Sequence, residues 1–148
     1  MNQLAKDYSD LGIEFVAFVK SKSDAELSKP GPENEWTAAF AIHHLADFEI
    51  HFASRFLRII TEENPEIQSY DESLYVDKTN YATRNVRTSI QTIEATRKQL
   101  GEILGGLSDQ DFDRPVRHVE KGQIKLSDLI GYCNNHIKNH LDQVKSTL

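Results

Sequence analysis

The sequence predicts an all-α protein, a four-helix bundle with long crossover connections. Three observations carry that prediction. Four segments repeat their apolar residues at helical spacing, the links between them include two long ones, and the one strand-like alternation is brief.

In the first segment Leu4, Tyr8, Leu11, Phe15 and Phe18 recur at spacings of four and three, which places them on one stripe. It fades into the polar linker "SKSDAELSKPGPENE", where Pro30, Gly31 and Pro32 forbid continuous helix. Thr37 is positioned to cap the second helix, which runs to about Thr61 with Ala41, Leu45, Phe48, Phe52, Phe56 and Ile59 as its stripe, and Asn64-Pro65 ends it. The stretch "EIQSYDESLYVDKTNY" sustains no period and reads as a long crossover. A third helix is expected from near Asn80, carrying Val86, Ile90, Ile93, Leu100, Leu104 and Leu107; Arg97 interrupts this stripe and Gly105-Gly106 marks its end. "RPVRHVEKGQIKL" alternates around Lys121-Gly122, as a short hairpin or turn would. Ser127 is the expected cap of the last helix, whose stripe is Leu126, Ile130, Cys133, Ile137, Leu141 and Val144.

With 148 residues, 39% hydrophobic and 27% charged, the chain reads as one domain, 1–148, able to bury a core without staples. A net charge of −6 argues against nucleic acid and anionic membrane surfaces as partners. A single cysteine, an N-terminus without a signal-peptide pattern and no apolar run of roughly 18 residues together point to the cytoplasm.

The histidines suggest chemistry. In "NHIKNHL", His136 and His140 lie roughly 40° apart and one turn apart, on one flank of the last helix's stripe. Such a pair supplies two imidazole nitrogens from one rigid element. A third nitrogen from a facing helix completes a triangular face for a divalent ion and leaves positions open for water or substrate. On the second helix His44 falls beside the core stripe and is the expected third ligand, with His51 farther from the stripe. His43 is expected to face water, and His51 and His118 to be surface or interface residues. The bland reading of each histidine is a hydrogen-bonded side chain at the core boundary. Cys133 is open to two readings, a thiolate or ligand beside the histidines and a small buried apolar residue. Asp47, three residues beyond His44, either orients a ligand imidazole or is a solvated surface charge.

"WTAAFAIHHLADFEIHFASRF" resembles the second-helix signature of the DinB/YfiT-like superfamily, with Trp36 followed eight residues later by His44 and Leu45. "ITEENPEIQSYDE" resembles the segment that follows in the YfiT-like branch. "RHVEKGQIKLSDLIGYCNNHIKNHLDQV" resembles its C-terminal block, where a His-x-Glu-x-Gly turn leads into a helix ending in HxxxH. The resemblance implies a four-helix bundle of DinB/YfiT-like type in which three histidines, here His44, His136 and His140, bind a divalent metal, commonly nickel or zinc. It also implies a homodimer. It further implies a small-molecule substrate, since the superfamily includes thiol S-transferases using bacillithiol or mycothiol, a glutathione-dependent isomerase and many proteins designated hydrolases. The chain departs from the YfiT-like "WHxxHHxxH" pattern: it reads "NNHIKNH", with Cys133 where another histidine would align.

Two function classes follow. One is a metal-dependent enzyme of thiol S-transferase or hydrolase type, acting on a small molecule, with a low-molecular-weight thiol as cosubstrate in the transferase case. The other is a non-catalytic, stress-associated metal-binding bundle. Tyr70, Tyr75, Tyr81 and Tyr132 are candidates for lining a pocket or a dimer face, and Phe40, Ile42, Ile50 and Ile60 lie outside the main stripe of the second helix, which favours a homodimer or a covering loop.

Overall fold

A computed structural model describes residues 1–33 and 35–148. Asn34, part of the polar linker expected after the first helix, lies outside the described residues.

Four long helices form the bundle: α1 (Gln3–Lys20), α3 (Ala38–Thr61), α5 (Val86–Gly105) and α6 (Leu126–Ser146). α1 and α3 each pack against both α5 and α6, so α1 stands diagonally opposite α3, and α5 diagonally opposite α6. The α1–α3 and α5–α6 links therefore cross a diagonal, which accounts for their length; the α3–α5 link joins adjacent helices and is long because it carries a short strand and a one-turn helix. Every expected stripe residue of α3 and α6 is buried, and those of α1 and α5 are buried or packed against the core.

The links are more structured than their composition suggests. The first holds a one-turn helix, α2 (Asp24–Leu27), in which Ser23 Oγ accepts from the Glu26 amide and Glu26 Oε1 from the Ser23 amide, while Leu27 is buried. The crossover after α3 begins with β1 (Glu66–Ile67), then a 3-10 turn (Glu72–Leu74) leading into α4 (Tyr75–Lys78). The alternating stretch before α6 forms a hairpin of β2 (Pro115–His118) and β3 (Gly122–Lys125), and β1 adds to β2 in parallel to make a small three-stranded sheet. Ile67 and Val116 turn inward from it. Gly122, at φ 76°, supplies the left-handed residue that closes the three-residue hairpin loop.

Capping confirms one expected boundary and moves two. Thr37 Oγ1 accepts from the Phe40 amide at 3.2 Å and starts α3 as expected. α5 begins at Val86, not near Asn80: Asn80 has φ 55° just after α4, and Asn85 caps α5 by accepting from the Arg87 amide at 2.9 Å. α6 begins at Leu126, ahead of the expected Ser127 cap. Strand β3 runs directly into it, and Asp128 Oδ2 accepts from the Lys125 amide at 2.9 Å.

Candidate metal centre

α3 and α6 adjoin along one seam of the bundle, and both deliver histidines to it. Nε2 of His136 lies 3.1 Å from Nε2 of His44 and 3.1 Å from Nε2 of His140. One ligand atom from each of the three lies within 4.8 Å of the others. Two nitrogens bound tetrahedrally to one ion at about 2.0–2.1 Å would sit about 3.3 Å apart. A neutral imidazole offers at Nε2 either one proton or one lone pair, so His136 cannot make good hydrogen bonds to both neighbours through that atom. The donor set fits a divalent ion better than it fits a hydrogen-bonded triad.

The remaining ring nitrogens aim the set. His140 Nδ1 is 2.7 Å from Gln143 Oε1, so an N–H donated there leaves the lone pair on Nε2. His44 Nδ1 faces Glu72 Oε2 at 3.6 Å. His136 Nδ1 is buried without a hydrogen-bond partner among the described residues. Its ring stacks on Phe48, with centroids 3.7 Å apart and planes at 16°, while Trp36 packs 5.4 Å from His44. Burial pushes the pKa of all three imidazoles down, and for His136 the neighbouring His140 and His44 add to the effect. Neutral imidazole is the ligating form, so this environment favours it.

The other histidines are not at the seam. His43, expected to face water, is 1% exposed; its Nδ1 lies 2.8 Å from Ser89 Oγ on α5, and burial, then Arg84, push its pKa down to about 4. Stripe arithmetic assigned α3 a single buried face. In the fold α5 flanks it on one side, α6 on the other, and every residue from Ala38 to Ala46 except Phe40 is buried. His51, the alternative third ligand, stacks on Tyr70 at 3.8 Å and places Nε2 2.7 Å from the Tyr75 hydroxyl. His118 is buried rather than a surface residue.

Cys133 is fully buried in the core, where burial raises its thiol pKa, and it is outside the three-histidine cluster. Asp47 meets neither expectation. Its oxygens accept from Arg84 Nη1 and Nη2, each at 2.9 Å, and from the Tyr81 hydroxyl at 3.0 Å, tying the segment before α5 to α3. The carboxylate that does face a histidine of the cluster is Glu72. It lies in the aperiodic crossover, where no sequence spacing relates it to His44. Of the apolar residues outside the α3 stripe, Ile42 is fully buried, Phe40 packs on Tyr81 and Ile60 packs on the core; Ile50 is exposed. The chain itself covers most of that excess. Among the described residues no helix is long and apolar enough to cross a membrane.

Bundle and site together define a class: four-helix proteins with three histidines converging between facing helices. The sequence profile of the DinB superfamily matches residues 13–144, and the chain belongs to that superfamily. A relative from Oceanobacillus iheyensis, named "Putative metal-dependent hydrolase OB0782", is 37% identical over 146 residues, covering 99% of this chain and 84% of the relative. A Bacillus cereus relative with the same designation is 26% identical over 141 residues, covering 95% and 81%. Among solved structures, YfiT from Bacillus subtilis, described as "a probable metal-dependent hydrolase with an unusual four-helix bundle topology", superposes with a TM-score of 0.85 at 24% identity, covering 99% of this chain and 87% of YfiT. The mycothiol-dependent maleylpyruvate isomerase superposes at 0.72 with 15% identity, covering 97% of this chain and 63% of the isomerase. Both structures share the fold.

Proposed function

We propose that this chain binds a divalent metal, nickel or zinc, through His44, His136 and His140, and uses it in a metal-dependent reaction of thiol S-transferase or hydrolase type on a small molecule. The observation that carries this reading is the convergence of three Nε2 atoms from two helices, with His136 Nε2 3.1 Å from each of the others. The relatives' designation as metal-dependent hydrolases supports it, and the mycothiol-dependent isomerase with the same fold supports a low-molecular-weight thiol as one reactant.

An ion with three protein ligands and open positions supplies a Lewis acid that lowers the pKa of a bound thiol or water toward neutrality. The chain's own residues prepare that position. Gln143 holds the His140 tautomer, Phe48 fixes the His136 ring by stacking, and Trp36 packs against the His44 ring. A cytoplasmic setting belongs to the same proposal, supported by the single reduced, buried cysteine. So does a homodimer. Its support is an apolar groove along α1 and α5, lined by Met1, Gly12, Ile13, Val16 and Gly101, and light scattering decides it.

Metal analysis of protein purified without a histidine tag tests the binding half, with about one equivalent of ion per chain expected. A screen of low-molecular-weight thiols against electrophiles, and of ester and amide substrates, then separates transfer from hydrolysis. Protein that takes up no nickel or zinc, or a His136→Ala variant that binds them equally well, would reject the proposal.

A further inference from the structure

A second group of donors lies beside the histidine centre and takes no part in it. A cavity of about 170 Å³ opens between α3, the crossover, the β2–β3 turn and α6. Its floor is aromatic. Phe48 stacks on Phe52, with centroids 4.1 Å apart, and Tyr132 lies nearly parallel to Phe52 at 5.8 Å. Phe48 also stacks on His136, so one ring is common to the cavity and the centre.

Three nitrogen-bearing side chains line this cavity. The Arg55 guanidinium lies over Phe52 at 4.7 Å and donates from Nη2 to the Gln68 carbonyl, while its Nε and Nη1 have no protein acceptor among the described residues. Lys121 Nζ lies 4.8 Å from the Tyr132 ring centroid. Among the described residues neither cation has a carboxylate within ion-pairing distance. The third is His118, 6% exposed. Its Nδ1 accepts from the amides of Glu120 and Lys121 at 3.1 and 3.2 Å, so its proton resides on Nε2, which has no protein acceptor. After burial, Arg55 and Lys121 are the charges that lower the His118 pKa, so all three groups share one field. The cavity also contains two carboxylates: Glu72 faces His44, and Glu120 is exposed on the turn.

We propose that Arg55, His118 and Lys121 form an anion subsite. It takes the terminal carboxylate or phosphate of a small molecule whose apolar body lies on Phe48, Phe52 and Tyr132. The planar guanidinium presents paired N–H donors to such a group, and the partly enclosed aromatic setting strengthens them. Arg55 follows His44 by eleven residues on α3, about 16 Å along the axis, and its side chain leans back toward the helix N-terminus, leaving on the order of 10 Å between the anion and the centre. The ligand is therefore an elongated molecule, anionic at one end and reactive at the other. Its reaction rests on the metal-dependent reading above; its binding does not, because none of the three donors is a histidine of the centre.

The test uses metal-free, tag-free protein titrated with 3-phenylpropionate, with 2-phenylethylphosphonate and with neutral 3-phenylpropan-1-ol, followed by NMR. At least one anion is expected to bind and shift the His118 and Tyr132 resonances, the tighter of the two assigning carboxylate or phosphate. The alcohol is expected to bind at least about tenfold more weakly, and Arg55→Gln and Lys121→Gln to lose about tenfold each. Arg55→Lys should keep part of the affinity. Lys121 is exposed on a turn, so its variant reports on binding even if an Arg55 variant disturbs packing. Equal binding of alcohol and anions, no anion binding at millimolar concentration, or full affinity in Lys121→Gln and Arg55→Gln overturns the proposal. Because these titrations contain no metal, a failure of metal uptake leaves their outcome intact.

Discussion

Arg97 Nη2 lies 2.8 Å from Glu49 Oε1, with both side chains withdrawn from solvent. The same guanidinium donates to the Tyr8 carbonyl at 3.0 Å and the Cys133 carbonyl at 3.1 Å, and stands 3.9 Å above the Tyr8 ring. One residue on α5 thus joins α1, α3 and α6. Gly12 makes room for it, since a side chain there would press on Arg97.

Removing one member of this pair strands the other charge in the core. Arg97→Met should destabilise the fold by about 3–5 kcal/mol in urea unfolding, while adding Glu49→Leu should recover much of that loss. A single variant as stable as the parent would mean that water reaches the pair.

The histidine centre predicts a hierarchy of losses. Gln143→Ala, which removes the acceptor beside His140 Nδ1, should weaken metal affinity by about 10–100-fold. His136→Ala should cost more, because it removes the central nitrogen. Asn139→Ala, exposed on the same helix, should change nothing. Metal titration of the four proteins checks the order.

At the proposed centre protons compete with metal for the three imidazoles, and burial sets where. The folded-state pKa values of His44, His136 and His140 lie below the ordinary value of about 6.5, so the sites remain neutral as pH falls past it. Affinity should be nearly flat from pH 8 to about 6.5 and decline only below that. Metal titrations across pH 5 to 8 that show a steep fall already above pH 7 would contradict buried, neutral ligands.

His43 gives a separate dependence on acid. Between about pH 6.5 and its folded pKa of about 4, the unfolded chain takes up a proton that the folded protein does not. Stability should therefore fall as pH drops through that window. His43→Asn should show a shallower fall, read from urea midpoints at each pH, with its stability at pH 7 lowered by loss of the contact to Ser89.

Much was legible from residue order alone. The hairpin around Gly122 was legible from turn chemistry, and the stripes of all four long helices, the Thr37 cap and the flanks on which His44, His136 and His140 meet follow from 3.6-residue geometry, which fixes where a side chain points relative to its own helix. That geometry says nothing about how many neighbours a helix has. Only packing decided that α3 is buried almost all round near its start, which moved His43 from solvent to a contact with Ser89, and that Arg97, an apparent break in a stripe, has a carboxylate opposite. Likewise Glu72 at His44, Asp47 with Arg84, and Arg55, His118 and Lys121 around one cavity come from segments 28 to 66 residues apart in these groupings. Local periodicity carries no information across such separations. Their meeting is set by the long connections and the small sheet, which are properties of the folded chain.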